Sequence, residues 1–546
     1  MRKFIWAPYI GVVCALFATE AAYFLDELSP WRRCAGFFWV SSSAVIVVSA
    51  WAFAFAAFLE REFWALPHRG WYLVAFFLPP LLILVDVGGT YFTPVDGEGL
   101  AQLAGGVTLL RFDPSLGIFS LSYYSYMARQ YVLNAMPSYI FGPSLVAARV
   151  GNSMFYIGSY LFFLSALVSY LRSRRSSDPL LFAGYCGVLI ALGQYTLLNA
   201  RKFEQTTMPI AVTLFFLGAL MLFLAEPVPL RFLWMTWSFG FCPECYTPAM
   251  GTWMLALAIL VYLIIWRRRR ILVLAAAYGC VCLFVAYRVV NGADMGSIPY
   301  KFRFGIGHGT ASDWIFRYLN SMRAGVGSDS TLIQAPLALA VFAAVCLAWR
   351  YRERRYMAIC AWAVAIVAVS VTTFGSNLNI PYYDVHRTMI ILPPLALGAV
   401  LLIVRFMSDT GEASPAARVL KGMMKLSMVY MVFTGVCTVF LVRSFLGPTI
   451  RSDYDEVFAK IDEIATSRSA ARPTRIYLVP PLDVILEPGL QYFAPGAAVL
   501  RSLPPAGEKI PGAYVFSYLT NDPNDRILNQ QMPSIHTRPF VKMVAE

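Results

Sequence analysis

Two carboxylates two residues apart, Asp96 and Glu98 in VDGEGLAQLAGG, are the residues of this sequence best placed to do chemistry. They follow directly on an apolar run that ends in VDVGGTYFTP. An acid held just outside a membrane can take the proton of an attacking hydroxyl as a general base. Gly97 and Gly99 flank Glu98 and let the backbone turn tightly against a substrate. The competing reading is that both acids are simply solvated in an outer loop.

Three further loops offer charges. NARKFEQTTMP (199–209) carries Arg201, Lys202 and Glu204 between two apolar runs. Cations in so short a turn suit a phosphate, Arg in particular by bidentate contact. They also suit interfacial side chains that reach up to water. NIPYYDVHRTMIILPP (379–394) places Asp384, His386 and Arg387 just before a late apolar run, and IPYKFRFGIGHG contributes Lys301, Arg303 and His308. Acids and cations gathered at one membrane boundary fit an anionic lipid-linked substrate, and equally fit anionic headgroups.

Other patterns carry less. CPEC (242–245) has zinc-like or redox-like spacing, but no second ligand pair lies nearby and the βαβ setting of a redox motif is missing. It reads as a turn, with a disulfide as the alternative. FGIGHG lacks the preceding strand and the Lys-Ser/Thr ending of a phosphate loop. The tyrosines of SLSYYSYMARQYV predict an interfacial helix, with Tyr124, Met127 and Tyr131 on one face at headgroup level.

The elements that must position these groups are membrane spans. The sequence is 58% hydrophobic and 14% charged, with a mean hydropathy of +0.61, against roughly 25% charged residues in soluble domains. The class is a polytopic all-α membrane protein, since the apolar runs are long and continuous rather than short and alternating. About thirteen spans are expected, near 5–25, 35–59, 70–90, 143–171, 179–198, 207–225, 230–246, 249–266, 271–290, 331–349, 357–374, 388–406 and 425–446. The first run has a basic start but no clear cleavage site, and reads as a retained span rather than a signal peptide.

Much of the formal charge of +13 sits in RSRR (172–175), RRRR (267–270) and RYRERR (350–355). Such clusters mark the cytoplasmic side, which places the N-terminus there and the acid-bearing loops on the opposite face. The same placement removes the case for nucleic acid, because no basic, aromatic-interleaved soluble domain is present. The ten cysteines are scattered through predicted spans and form no secreted framework.

After the last span the character changes. DYDEVFAKIDEIATSRSA predicts an amphipathic helix, and RIYLV, GAYVFSYL and FVKMV predict short strands between Pro- and Gly-rich turns. The expected organisation is an N-terminal hairpin (1–65), a transmembrane core (66–447) with an outer loop at 90–140, and a small α/β domain (448–546) on the outer face.

The order of features resembles the GT-C membrane glycosyltransferases, in particular family 39 and its relatives, the protein O-mannosyltransferases and the aminoarabinose transferases of lipid A. The resemblance rests on the acidic loop at Asp96, the phrase FGPSLVAARVGNSMF (141–155) some forty residues later, the turn NARKFEQTTMPIAVTLFFLGALML and the phrase HRTMIILPPLALGA (386–399), and it covers roughly residues 70–546. It implies a GT-C bundle in a bacterial inner membrane. The implied reaction is inverting transfer of a sugar from a polyprenyl-phosphate-linked donor to a lipid, glycan or protein hydroxyl. Asp96 matches the family's first catalytic acid, Glu98 shares or replaces that role, and Glu204 falls at a second acid. Arg201, Lys202 and Arg387 match groups that stabilise the leaving phosphate, with Lys301 and Arg303 as further donor-phosphate contacts. No cofactor is implied. Asp96, Glu98 and Glu204 could supply oxygen ligands to a divalent ion, but a metal is not the favoured reading.

The sequence departs from the family in three ways. The acids are spaced D-G-E rather than adjacent, the basic-Pro-Pro patch is replaced by DPSLGIFSLS, and two extra spans precede the acidic loop. Asp26–Glu27 after the first span is a rival register, but no FGPS-like phrase follows it. A lipid-linked glycan transporter and a non-catalytic envelope-assembly protein are the alternative functions. The acids lie outside the spans rather than inside them, which sets the chain apart from a transporter.

Overall fold

The computed structural model describes residues 7–24, 29–85, 87, 103–107, 110, 128–201, 207–245, 249–267, 269–292, 335–374, 388–411 and 414–441, with short segments at 475–478, 492–493, 498–500, 513–518 and 541–545.

Every one of the thirteen expected spans corresponds to a described helix. In chain order the helices are α1 (Ala7–Phe24), α2 (Ser29–Leu59), α3 (Arg61–Trp64, one turn), α4 (Arg69–Leu84), α5 (Ala128–Phe141), α6 (Leu145–Ser173), α7 (Pro179–Ala191) and α8 (Gln194–Arg201). They continue with α9 (Met208–Ala225), α10 (Pro229–Phe241), α11 (Ala249–Arg267), α12 (Arg270–Gly292), α13 (Ala335–Tyr351), α14 (Arg354–Phe374), α15 (Leu392–Thr410) and α16 (Pro415–Leu441). Seven are long and apolar enough to cross a membrane, and α4, α7 and α13 are shorter apolar helices. The expected span at 179–198 is broken: α7 ends at Ala191, and α8 starts again after Leu192–Gly193.

The centre of the bundle is α6 against α9, with α2, α7 and α10 around them. Nearly all of α7 and α9 is buried, as expected of helices that are apolar on every face. Phe162 of α6 stacks on Phe215 of α9 at 4.9 Å and meets Trp234 of α10 edge-on at 5.2 Å. Offset and edge-on pairs of this kind add about 0.5–1.5 kcal/mol beyond area burial. Between α10 and α12 the contact depends on small residues. A Cβ on Gly240 would lie 1.9 Å from Tyr278 Cε1, so the aromatic ring occupies the space a side chain would fill.

Charge separates the two ends of the bundle. At one end Arg172 pairs with Glu60 (3.5 Å), Arg231 with Glu226 (3.2 Å) and Arg405 with Glu353 (3.1 Å), while Asp178 receives both His68 (3.4 Å) and Lys421. This basic end also holds Arg174 of RSRR, Arg269 of RRRR and Arg355 of RYRERR.

In the C-terminal part four strands form one sheet of order β2-β1-β3-β4: β1 (Arg475–Leu478), β2 (Ala498–Leu500), β3 (Ala513–Tyr518) and β4 (Val541–Ala545). β1 runs parallel to both β2 and β3, and β3 pairs antiparallel with β4. Three of these are the predicted strands; β2 was not expected. The predicted amphipathic helix lies outside the described residues.

Candidate functional site

The phrase FGPSLVAAR shows why the site is built where it is. Phe141 ends α5 and is 83% exposed. Gly142 turns the chain with φ +88°, a conformation that costs other residues about 1–2 kcal/mol. Ser144 then caps α6, its Oγ accepting from the Ala147 N–H at 3.0 Å. Stop, turn and cap thus occupy four consecutive residues, 141–144. The turn is held from outside by the C-terminal part. Tyr492 Oη lies 2.5 Å from Ser138 Oγ and donates to the Ser144 carbonyl at 3.1 Å.

The first turns of α6 carry two polar groups one helical turn apart, Arg149 and Ser153, both buried. Arg149 Nη1 points at the Val87 carbonyl, 3.5 Å away, where the chain leaves α4 for the acidic loop. Ser153 Oγ donates to the Ala200 carbonyl at 2.7 Å, beside the last residue of α8. Asn199 Nδ2 in turn reaches Met389 Sδ at 3.3 Å, at the start of the helical turn (Met389–Ile391) that leads into α15. One continuous line therefore runs from Val87 through Arg149, Ser153, Ala200 and Asn199 to Met389, at the end of the bundle opposite the basic one. It joins the described flanks of three of the candidate loops.

Asp96, Glu98, Lys202, Glu204, Lys301, Arg303, Asp384, His386 and Arg387 lie outside the described residues. Arg201 is the C-terminal residue of α8, described in its backbone. The expectation for Tyr131 is corrected, and CPEC is a turn, as expected, without the alternative disulfide. Tyr131 is buried (1% exposed) in α5 and faces the core, while Tyr139, Ile140 and Phe141 at the other end of α5 point outward. CPEC forms a 3₁₀ turn with both thiols free and buried, and Cys242 Sγ donates to the Ser238 carbonyl at 3.3 Å.

A second polar group near this end was not expected from the sequence. Arg129, at the start of α5, is buried and binds Glu20 of α1, Glu244 of the CPEC turn and Tyr278 of α12. Its Nε lies 2.8 Å from Glu244 Oε2, Nη1 donates to Tyr278 Oη at 3.1 Å, and Nη2 pairs with Glu20 Oε1. With Arg129 charged, one ionised carboxylate is enough to balance the cluster. Glu20, Glu244 and Cys282 offer ligand atoms within 4.8 Å of one another, close enough to hold a cation. The guanidinium already engages both acids, so a cation placed between them would meet its positive charge. The cluster ties α5, the helix that receives the chain from the acidic loop, to α1, α10–α11 and α12.

No protein-family model matches the sequence, and no curated protein matches it. Solved structures do. ArnT from Cupriavidus metallidurans bound to undecaprenyl phosphate superposes with a TM-score of 0.56 at 14% identity, over 87% of this chain and 98% of that one. The same protein in the apo state gives 0.53 at 13% identity, with the same coverage. At this identity the likeness is one of fold. The chain carries the fold of ArnT, a GT-C-type membrane bundle.

Proposed function

We propose that this protein transfers a sugar from a polyprenyl-phosphate-linked donor to a hydroxyl acceptor, with inversion, at the outer face of a bacterial cytoplasmic membrane. The observation that carries the reading is the line from Val87 to Met389. It holds together the flanks of the loops that bear Asp96 and Glu98, Arg201 to Glu204, and Asp384 to Arg387. The fold adds support, because ArnT was solved with undecaprenyl phosphate bound.

In the proposed reaction the acceptor oxygen attacks the anomeric carbon and forms the new glycosidic bond. The bond from that carbon to the phosphate oxygen breaks, and the polyprenyl phosphate leaves. Asp96 or Glu98 takes the hydroxyl proton. Arg201, Lys202 and Arg387, with Lys301 and Arg303, oppose the charge that grows on the leaving phosphate. Glu204 is the second acid of the site.

The test is product formation by purified protein from a synthetic polyprenyl-phosphate sugar, with Asp96→Asn and Glu98→Gln made singly and together. We expect the base variant to lose about 10²–10⁴-fold in rate while donor binding stays within a few fold. Unchanged turnover in the double variant overturns the base assignment. Movement of the lipid across a vesicle membrane without any covalent product would make the chain a transporter instead.

A further inference from the structure

At the basic end, away from the acid-bearing loops, a cavity of about 270 Å³ opens between the ends of α6, α9, α11 and α12. Arg174 and Arg269 stand at its rim with Ser173, and Phe223, Leu263 and Leu272 form apolar walls. Both arginines are oriented by rings: Arg174 Cζ lies 5.3 Å from the Tyr170 centroid, and Arg269 Cζ lies 5.9 Å from that of Phe223.

What sets them apart from the other arginines of this end is that both line the cavity. Arg172, Arg231 and Arg405 at this end each meet a carboxylate. Arg174 and Arg269 meet none among the described residues. The acid nearest in sequence to the wall, Glu226, is engaged by Arg231 at 3.2 Å. Two guanidinium groups held over one cavity with no anion of their own describe a receptor for an anion, and the planar fork of Arg favours phosphate.

The surroundings favour a lipid phosphate. On α11 and α12, whose ends line the cavity, Ile265 (73% exposed), Trp266 (68%) and Val273 (50%) face outward. They present an apolar surface to acyl chains directly beside the two charges. Basic pockets between transmembrane helices on the cytoplasmic side are suited to anionic headgroups. We infer that Arg174 and Arg269 form a binding site for the phosphate group of an anionic glycerophospholipid, independent of the proposed catalytic end.

The test uses full-length protein in neutral detergent, titrated with short-chain phosphatidylglycerol, short-chain phosphatidylcholine and inorganic phosphate. Phosphatidylglycerol should bind at least tenfold more tightly than phosphatidylcholine. The R174Q/R269Q variant should remove that preference, whereas R172Q should keep it. Ala225→Phe fills the cavity while leaving both charges, and it too should abolish the preference. Inorganic phosphate that competes with phosphatidylglycerol, and does so only when both arginines are present, supports the site with a soluble phosphate as its occupant. Equal binding of the two lipids overturns the inference. So does a preference that survives R174Q/R269Q or Ala225→Phe in protein that remains monodisperse and helical.

Discussion

Arg129→Leu should be among the most damaging single substitutions in the protein, and Glu244→Gln among the mildest at a buried charge. The guanidinium is 1% exposed and meets Glu20, Glu244 and Tyr278. Removing it leaves two carboxyls in an apolar interior with no cation to offset them. Breaking a buried ion pair from one side costs about 3–5 kcal/mol. The glutamine, by contrast, matches the shape of a protonated Glu244 and should cost less than about 1.5 kcal/mol.

Unfolding of purified protein in mixed detergent, followed by tryptophan fluorescence, reads both effects. Arg129→Leu with a loss under about 1 kcal/mol, or a Glu244→Gln loss as large as that of Arg129→Leu, would refute the network as described.

Other perturbations address separate links. Gly240→Ala places a Cβ 1.9 Å from Tyr278 Cε1, so overpacking should cost about 1–3 kcal/mol; because Tyr278 also binds Arg129, a double-mutant cycle with Arg129→Leu should be non-additive. Gly142→Ala meets nothing within 4 Å, so its cost should be the backbone term alone, about 1–2 kcal/mol, measurable as a shift in the same unfolding curve. Burial pushes the His68 imidazole below its ordinary 6.5, and Lys425 and Lys421 add to this against the opposing pull of Asp178. The stability associated with its neutral form is present above pH 6.5 and declines as pH falls below it, so His68→Gln should resist acidification better than wild type in a pH series of melting temperatures.

The spans were legible because lipid-facing and core-facing helices both leave a continuous apolar run, and that signal survives without any knowledge of partners. It did not show the break at Leu192–Gly193, since Leu, Gly and Gln there barely lower the mean hydropathy of the run. The phrase around Gly142 and Ser144 was legible as a landmark, and its stop–turn–cap geometry explains why. The Arg129 cluster was missed for a physical reason. Its members come from four elements, with Glu20 and Arg129 separated by 109 positions, and pairing at that distance leaves no periodicity to read. One signal was present: Glu20 is an acid inside the apolar run of α1, and ionisable groups at membrane depth are rare without a partner. Glu244 gives no signal of its own, because it stands between the two cysteines of CPEC, whose spacing carries the stronger pattern. Tyr131 shares helical spacing with Tyr124 and Met127, and that spacing is the same for a face turned to the headgroups and a face turned to the core.

The Glu20–Arg129–Glu244 cluster has a consequence for biogenesis. Polypeptides enter the membrane from the N-terminus, so Glu20 arrives with α1, before its cation has been made. A carboxylate within an apolar helix is costly to insert, and α1, which holds Glu20 near its C-terminal end, must bear that cost, or carry its proton, until α5 is in place. Glu244 joins only after five more helices, α6 to α10, have been synthesised. The three groups that cancel in the finished bundle are thus successive liabilities during synthesis. Variants of Arg129 should therefore be detected first as chains cleared by the quality-control proteases of the membrane, before any folded protein can be assayed.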